Sequence, residues 1–125
     1  MPTTIEKRQL RATGRPSAEL VGALKALADG NRLRIIDLLH QGEVCVCEMT
    51  EALGLPQNLV SHHLRVLREV GLVKERRDRR DARWVYYIID PHALGETWRQ
   101  LDAVFNPERL SERTASCDTA AKDCR

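Results

Sequence analysis

Two cysteines separated by one residue, Cys45 and Cys47, are the side chains whose type and spacing best suit chemistry in this sequence. They are too close together to close a useful disulfide loop. In a reducing compartment, closely spaced thiols are more often metal ligands or redox groups than structural cross-links. Thiolates are soft donors that select thiophilic ions. The pair therefore predicts a site for arsenite or antimonite, which want three thiolates, or for cadmium, lead or zinc.

The geometry of this pair limits how one ion could bind it. Side chains two residues apart point about 200° away from each other on a helix, whereas they face the same side of an extended segment. An ion shared by Cys45 and Cys47 would therefore favour a non-helical or distorted start to the helix that follows. Two further cysteines, Cys117 and Cys124, are candidate ligands from the same chain or across a dimer. The alternatives are two buried apolar thiols at 45 and 47 and two bystanders in the tail.

The elements that must position these residues begin with four predicted helices. Ser17 is a plausible N-cap for the first, and Asn31 for the second, which ends at Gly42 and should be buried. The third fits residues 47–53, and the fourth fits residues 56–70, with Pro56 at its first position. The apolar residues at helical spacing are Leu20, Leu24 and Leu27, then Leu33, Ile35, Ile36, Leu38 and Leu39, then Val60, Leu64, Leu67 and Val70. The last two helices, joined by residues 54–56, form a helix-turn-helix candidate.

A β-hairpin and a last helix follow. Residues 72–73 open one strand, residues 84–89 form a β-rich run, and a last helix starts at Asp90 and Pro91. That helix carries an apolar stripe of Leu94, Trp98, Leu101 and Phe105. The fold class is mainly α with a small β-hairpin wing, a winged helix-turn-helix with the order αααα-ββ-α. Residues 1–16 are expected to form a flexible arm, residues 17–105 the domain, and residues 106–125 a flexible cysteine-containing tail.

The hairpin is locally basic. From Lys74 to Arg83 there are six basic residues against three acidic ones, a larger excess than the net charge of +2 for the whole chain. Basic side chains beside a helix-turn-helix suit the phosphates of duplex DNA. The fourth helix also carries forked and polar groups that pair with bases, whereas His63 is expected to pack. The predicted DNA-binding residues are Gln57, Asn58, Ser61, His62 and Arg65 on the helix, and Arg77, Arg79, Arg80 and Arg83 on the hairpin.

Composition excludes several classes of function. The chain of 125 residues is one domain in size, and a net charge of +2 excludes a wholesale polycation. No apolar run approaches the ~18 residues of a membrane span, and no apolar signal core opens the chain, so a cytoplasmic protein is expected. Neither a Gly-rich phosphate loop nor a nucleophile elbow is present, and no histidine has a convincing catalytic neighbour. The sequence therefore does not predict an enzyme.

Several segments match a known set of motifs in combination. They are residues 24–29 with 32–35, 44–48, 60–67, 71–73 and 83–87. Over about residues 18–92 the chain resembles the ArsR/SmtB metalloregulators. The resemblance implies a homodimeric winged-helix repressor that leaves its operator when a metal or metalloid binds.

The resemblance also implies two kinds of ligand site. One is a Cys-Val-Cys before the recognition helix, matched here by Cys45 and Cys47, although Thr50 stands where the arsenic-sensing version has a third cysteine. The other is a zinc site on the last helix, whose start Asp90 and His92 match without its second histidine. These two residues are therefore interpreted as helix-start residues.

The sequence predicts a dimer and favours one inducing ion, but it leaves alternative functions open. The apolar stripes of the first and last helices exceed what one small winged helix covers, so these helices are predicted to form a two-fold interface. Release by arsenite or antimonite is favoured. The alternatives are a cadmium- or lead-responsive repressor, a repressor that senses thiol oxidation, and a thiol-based metal carrier or redox enzyme with no role on DNA.

Overall fold

The computed structural model describes Leu10 and residues 16–115, and the elements within it follow the predicted order with one addition. The helices and strands are α1 (Ala18–Leu27), α2 (Gly30–Leu39), β1 (Val44–Cys45), α3 (Val46–Leu53), α4 (Gln57–Glu69), β2 (Val73–Arg77), β3 (Val85–Ile89) and α5 (Pro91–Phe105). Residues Pro16–Phe105 form one compact unit. A 3₁₀ turn, Pro107–Arg109, lies outside that unit. Over the described residues, no helix has the length and apolar character needed to cross a membrane.

The addition is β1, which the sequence analysis did not predict. It pairs with β3, so the sheet has three antiparallel strands in the order β1-β3-β2 rather than two. Cys45 lies opposite Tyr86 in the β1–β3 pair, and Arg76 lies opposite Tyr86 in the β2–β3 pair. One cysteine of the candidate site is therefore a strand residue of the sheet that carries the wing.

The predicted starts of α2 and α4 were wrong. The N-cap of α2 is Asp29 rather than Asn31, because the Asp29 carboxylate accepts the backbone N–H groups of Asn31 and Arg32 at 2.9 and 3.1 Å. Pro56 is the extended N-cap of α4 rather than its first helical residue. The N-cap of α1 is Ser17, as predicted, and its hydroxyl accepts the N–H of Leu20.

Helices α3 and α4 form the helix-turn-helix. Gly54 ends α3 in the left-handed conformation with φ of 67°, where a residue without Cβ carries no steric penalty. Its N–H donates to the carbonyl of Thr50 at 2.9 Å. The stripe of Val60, Leu64 and Leu67 on α4 is fully buried beside Met49 of α3. The inner face of α4 is thus anchored, and its opposite face is left to solvent.

The core is aliphatic, and the expectation that α2 is buried as a whole was wrong. Ile35 and Leu39 of α2 are buried, but Leu33 is 52% exposed, so α2 is only partly internal. Helix α5 has no buried residue at all, and its Trp98 and Phe105 are 67% and 77% exposed. Trp98 and Phe105 of the predicted α5 stripe therefore form an apolar outer surface, whereas Leu94 and Leu101 are half-buried.

Candidate ion site and nucleic-acid interface

The cysteine pair spans the junction between β1 and α3. Cys45 is the last residue of β1 and the extended N-cap of α3, with φ of −93° and ψ of 166°. Cys47 is already in the first turn of α3, which begins at Val46 rather than at the predicted Cys47. Cys45 is half-buried, Cys47 is exposed, and both thiols are free. The pair is therefore neither wholly helical nor wholly extended, and one ion bound to both would act on the junction itself.

Hydrogen bonds at this junction involve the cysteines directly. The N–H of Cys45 donates to Oε1 of Glu48 at 3.0 Å. This bond, together with one from the Cys45 thiol, lowers the pKa of Glu48. Thr50, at the position of the missing third cysteine, donates its hydroxyl to the carbonyl of Cys47 at 2.8 Å. Glu48 and Thr50 therefore hold the backbone of both cysteines at the point where an ion would bind their thiolates.

The donor set at the junction is incomplete. Across Leu10 and residues 16–115, no group of three or more His, Cys, Asp or Glu side chains is placed to hold a metal ion. The two thiols suit a soft ion, but a third donor must come from elsewhere. The proposed donors Cys117 and Cys124 lie outside the described residues.

In the second implied site, the carboxylate of Asp90 caps the start of helix α5. Asp90 accepts the N–H groups of His92 and Ala93 at 3.0 and 3.3 Å, and its carboxylate lies 3.4 Å from the ammonium of Lys74. The hydrogen bond from Ala93, supported by Lys74, lowers the pKa of Asp90. Asp90 and His92 are therefore helix-start residues, as interpreted from the sequence.

The outer face of α4 carries the predicted base-contacting residues. All five are exposed: Gln57, Asn58, Ser61, His62 and Arg65. His63 lies on the inner face and is only 5% exposed, which confirms its packing role. The structure therefore brings the five helix residues together on one accessible surface.

A polar junction of three helices holds the inner face of α4. A guanidinium nitrogen of Arg32 on α2 lies 3.1 Å from Nδ1 of His63, and Nε of Arg32 donates to the carbonyl of Ala26 on α1. Nε2 of His63 is buried without a hydrogen-bond partner among the described residues. Burial lowers the pKa of His63; Arg32 and His62 add to this effect, and Asp29 opposes it.

This lowered pKa predicts a dependence of stability on pH. The unfolded chain, with a histidine pKa near 6.5, binds a proton at His63 that the folded chain resists. The free energy of unfolding should therefore decrease as the pH falls through about 6.5 towards the lower folded pKa. Thermal unfolding between pH 8 and pH 5 tests this. The decrease should be smaller in His63→Gln, whose side chain does not titrate, and equal slopes in the two proteins would contradict the prediction.

The wing is the hairpin of β2 and β3, and its arginines fall into two groups. Arg77 donates to the carbonyl of Ala82 at 2.9 Å, and Arg83 pairs with the carboxylate of Asp81 at 2.8 Å. The side chains of Arg79 and Arg80 are exposed at the tip and have no hydrogen bond or ion pair within the described part of the chain. These two guanidinium groups are therefore the freest to contact phosphate.

We expect Arg79→Ala and Arg80→Ala to weaken binding to all DNA sequences alike. Each phosphate contact contributes about 0.9 to the slope of log affinity against log salt. Each variant should therefore flatten that slope by about 1. Affinities at several salt concentrations, on operator and unrelated duplexes, measure the effect. Loss confined to one sequence, with an unchanged slope, would instead indicate base contacts.

A helix-turn-helix with an exposed polar outer face, followed by a basic antiparallel hairpin, defines a winged-helix DNA-binding protein. Residues 29–75 match the family described as "Bacterial regulatory protein, arsR family". The arsenical resistance operon repressor of Escherichia coli K12 is 36% identical over 101 residues, covering 80% of this chain and 84% of that protein. This chain therefore belongs to the arsR family of transcriptional regulators.

Two further comparisons agree with this assignment. The cadmium resistance transcriptional regulatory protein CadC of Listeria innocua serovar 6a is 38% identical over 69 residues, which cover 54% of this chain and 56% of that protein. The crystal structure of a "possible transcriptional regulator for arsenical resistance" is 35% identical and has a TM-score of 0.58. It covers 73% of this chain and 88% of that one.

Sequence reasoning missed three features of these surfaces: β1, the Arg32–His63 contact, and an ion pair between Glu43 and Arg76. A signal for β1 was present, since Val44 and Val46 alternate with the two cysteines in a strand-like pattern. The other two join residues 31 and 33 positions apart. No local pattern indicates such contacts.

Proposed function

We propose that this protein is a cytoplasmic homodimeric repressor that binds operator DNA and is released when a thiophilic ion, with arsenite or antimonite favoured, binds its cysteine thiolates. The observation that carries the proposal is the position of Cys45 and Cys47 across the β1–α3 junction. Helix α3 packs on α4, and its Met49 lies in the same apolar core as the inner face of α4, so a change at the first turn of α3 acts on the support of the DNA-binding helix.

The α1 and α5 surfaces support the dimer. Of the predicted α1 stripe, Leu20 is buried in the core of the chain itself. The exposed apolar side chains are Val21 and Leu24 of α1 and Trp98, Val104 and Phe105 of α5. A two-fold axis through these helices would cover them and place two α4 helices about 34–36 Å apart, the repeat of successive major grooves.

The free energy of ion binding is sufficient for the switch. Moving a repressor from 99% to 1% DNA-competent needs ~5.5 kcal/mol of differential affinity. Thiolate-rich zinc sites in small peptides provide ~10–16 kcal/mol, of which only the difference between the two states acts on DNA binding. The names of the two relatives, one arsenical and one cadmium, support testing both kinds of ion.

Titration of the reduced protein with arsenite, antimonite and cadmium tests the proposal. Ultraviolet thiolate absorption reports binding, and gel shifts under the same conditions report release. Cys117→Ser and Cys124→Ser in parallel identify the further ligand and, by mixing variants, the subunit that supplies it. Binding without release from DNA would contradict the proposal. Release by hydrogen peroxide in the absence of ions would instead support the oxidation-sensing alternative.

A further inference from the structure

A bidentate ion pair joins the segment before β1 to the wing. Nε of Arg76 donates to Oε2 of Glu43 at 2.6 Å, and a terminal guanidinium nitrogen donates to Oε1 at 2.9 Å. The guanidinium carbon of Arg76 also lies 4.9 Å from the centre of the Tyr86 ring. This geometry fixes both the distance and the orientation of the two side chains.

The ion pair lies beside the row of the sheet that contains the candidate ion ligand. Cys45 is opposite Tyr86, and Tyr86 is opposite Arg76, so one residue from each strand forms the row. Residues directly opposite in antiparallel strands project from the same face. Glu43, two residues before Cys45 in the chain, reaches this row through its ion pair with Arg76, which lies near the tip of the wing.

The backbone pairing that connects β1 to the wing involves few residues. β1 has two residues, and its pairing with the central strand involves only Val44 and Cys45. The Glu43–Arg76 pair bypasses the central strand and ties the β1 segment directly to β2, the outer strand of the wing. A displacement of Cys45 on ion binding therefore has a second route besides α3, through the backbone to Glu43 and from its carboxylate to Arg76.

We propose that Glu43 is a positioning residue which, through Arg76, transmits ion binding at Cys45 to the wing. This inference rests on the proposed function. It assigns the release of DNA to two movements, of α4 through α3 and of the hairpin through the Glu43–Arg76 pair. Both side chains are substantially exposed, at 37% and 48%. Exposed ion pairs contribute little to stability, so substitutions in this pair should leave the fold intact and test its coupling role directly.

Glu43→Gln and Glu75→Gln make a matched pair of variants. Each removes one negative charge near the wing and so changes attraction to DNA similarly. Glu75 is the neighbour of Arg76 on β2, and it pairs with Arg68 of α4 at 3.3 Å and accepts the hydroxyl of Tyr87 at 3.5 Å, so neither contact involves Glu43 or Arg76. A third variant, Arg76→Lys, keeps the positive charge but cannot bind both carboxylate oxygens in the planar manner of a guanidinium.

The experiment measures ion affinity by thiolate absorption and operator affinity with and without arsenite. The fluorescence of Trp84, assigned by its loss in Trp84→Phe, reports the wing. In Glu43→Gln and Arg76→Lys we expect ion affinity to remain within about threefold, while the ion-induced loss of operator affinity shrinks at least about fivefold. The Trp84 response to the ion should shrink with it. Glu75→Gln should retain both responses.

The outcomes separate this inference from the function on which it rests. If arsenite releases the wild type and all three variants equally, the coupling role is overturned and the repressor function stands. If neither arsenite nor cadmium releases the wild type, both proposals are overturned. A loss of ion affinity in Glu43→Gln equal to its loss of response would also overturn the inference, because Glu43 would then act on the ion site alone.

Discussion

Cys45→Ser and Cys47→Ser are each expected to abolish release by ions while retaining operator binding. Serine removes the thiolate and leaves a hydroxyl, which is a poor ligand for soft ions. At most one thiol is then left at the junction. The ratio of operator affinity without the ion to that with the ion should be at least about 100-fold smaller than in the wild type. Gel shifts with and without arsenite measure this ratio.

The fold should tolerate these substitutions. Cys45 is the N-cap of α3, and serine is among the residues most favoured at that position. Cys47 is exposed, so the exchange of sulfur for oxygen leaves the core intact. Thr50→Ser on the same helix is the matched control, since it keeps both thiols and the hydroxyl bond to Cys47. A double cysteine variant that still dissociates normally would refute the assignment of the ligands.

The second large effect is expected from Trp98→Glu, which should convert the dimer to a monomer. Trp98 is 67% exposed on α5, and a charge there would be buried without a partner in a two-fold interface. A monomer contacts one half-site, so operator affinity should fall more than about 100-fold. Sedimentation at micromolar concentration reports the association state.

Leu33→Glu is the matched control for this variant. Leu33 is also an exposed apolar residue, at 52%, but it lies on α2 rather than on α1 or α5. The same charge is introduced, and the protein should remain dimeric. If Trp98→Glu also sediments as a dimer, or if the wild type is already monomeric at this concentration, the α1–α5 interface is wrong.

Periodic patterns account for what could be predicted from the sequence. The stripe of Val60, Leu64 and Leu67 fixed the inner face of α4, and therefore the outer face that carries Ser61 and Arg65. The charge pattern located the wing. These features depend on residues a few positions apart, where helical and strand periods determine which side chains share a face.

The wrong and missing predictions concern features that depend on contacts between residues distant in the sequence. Asp29 and Asn31 are both good cap residues, and the preference for Asp29 depends on where α1 ends, at Leu27. The alternation of valine and cysteine around β1 is too short to predict a strand by itself, and its two residues form one only because β3 is available to pair with them. The bond between Glu43 and Arg76 follows from that pairing and shares its dependence on tertiary structure.

The order of the strands has a consequence for the behaviour of the protein in concentrated solution. β2 is an outer strand, and four of its five residues are charged: Lys74, Glu75, Arg76 and Arg77. Charged side chains, lysine above all, discourage an open edge from adding a strand of another molecule. The charges of the wing thus also guard against aggregation between hairpins, and variants that neutralise several of them together should precipitate more readily than the wild type.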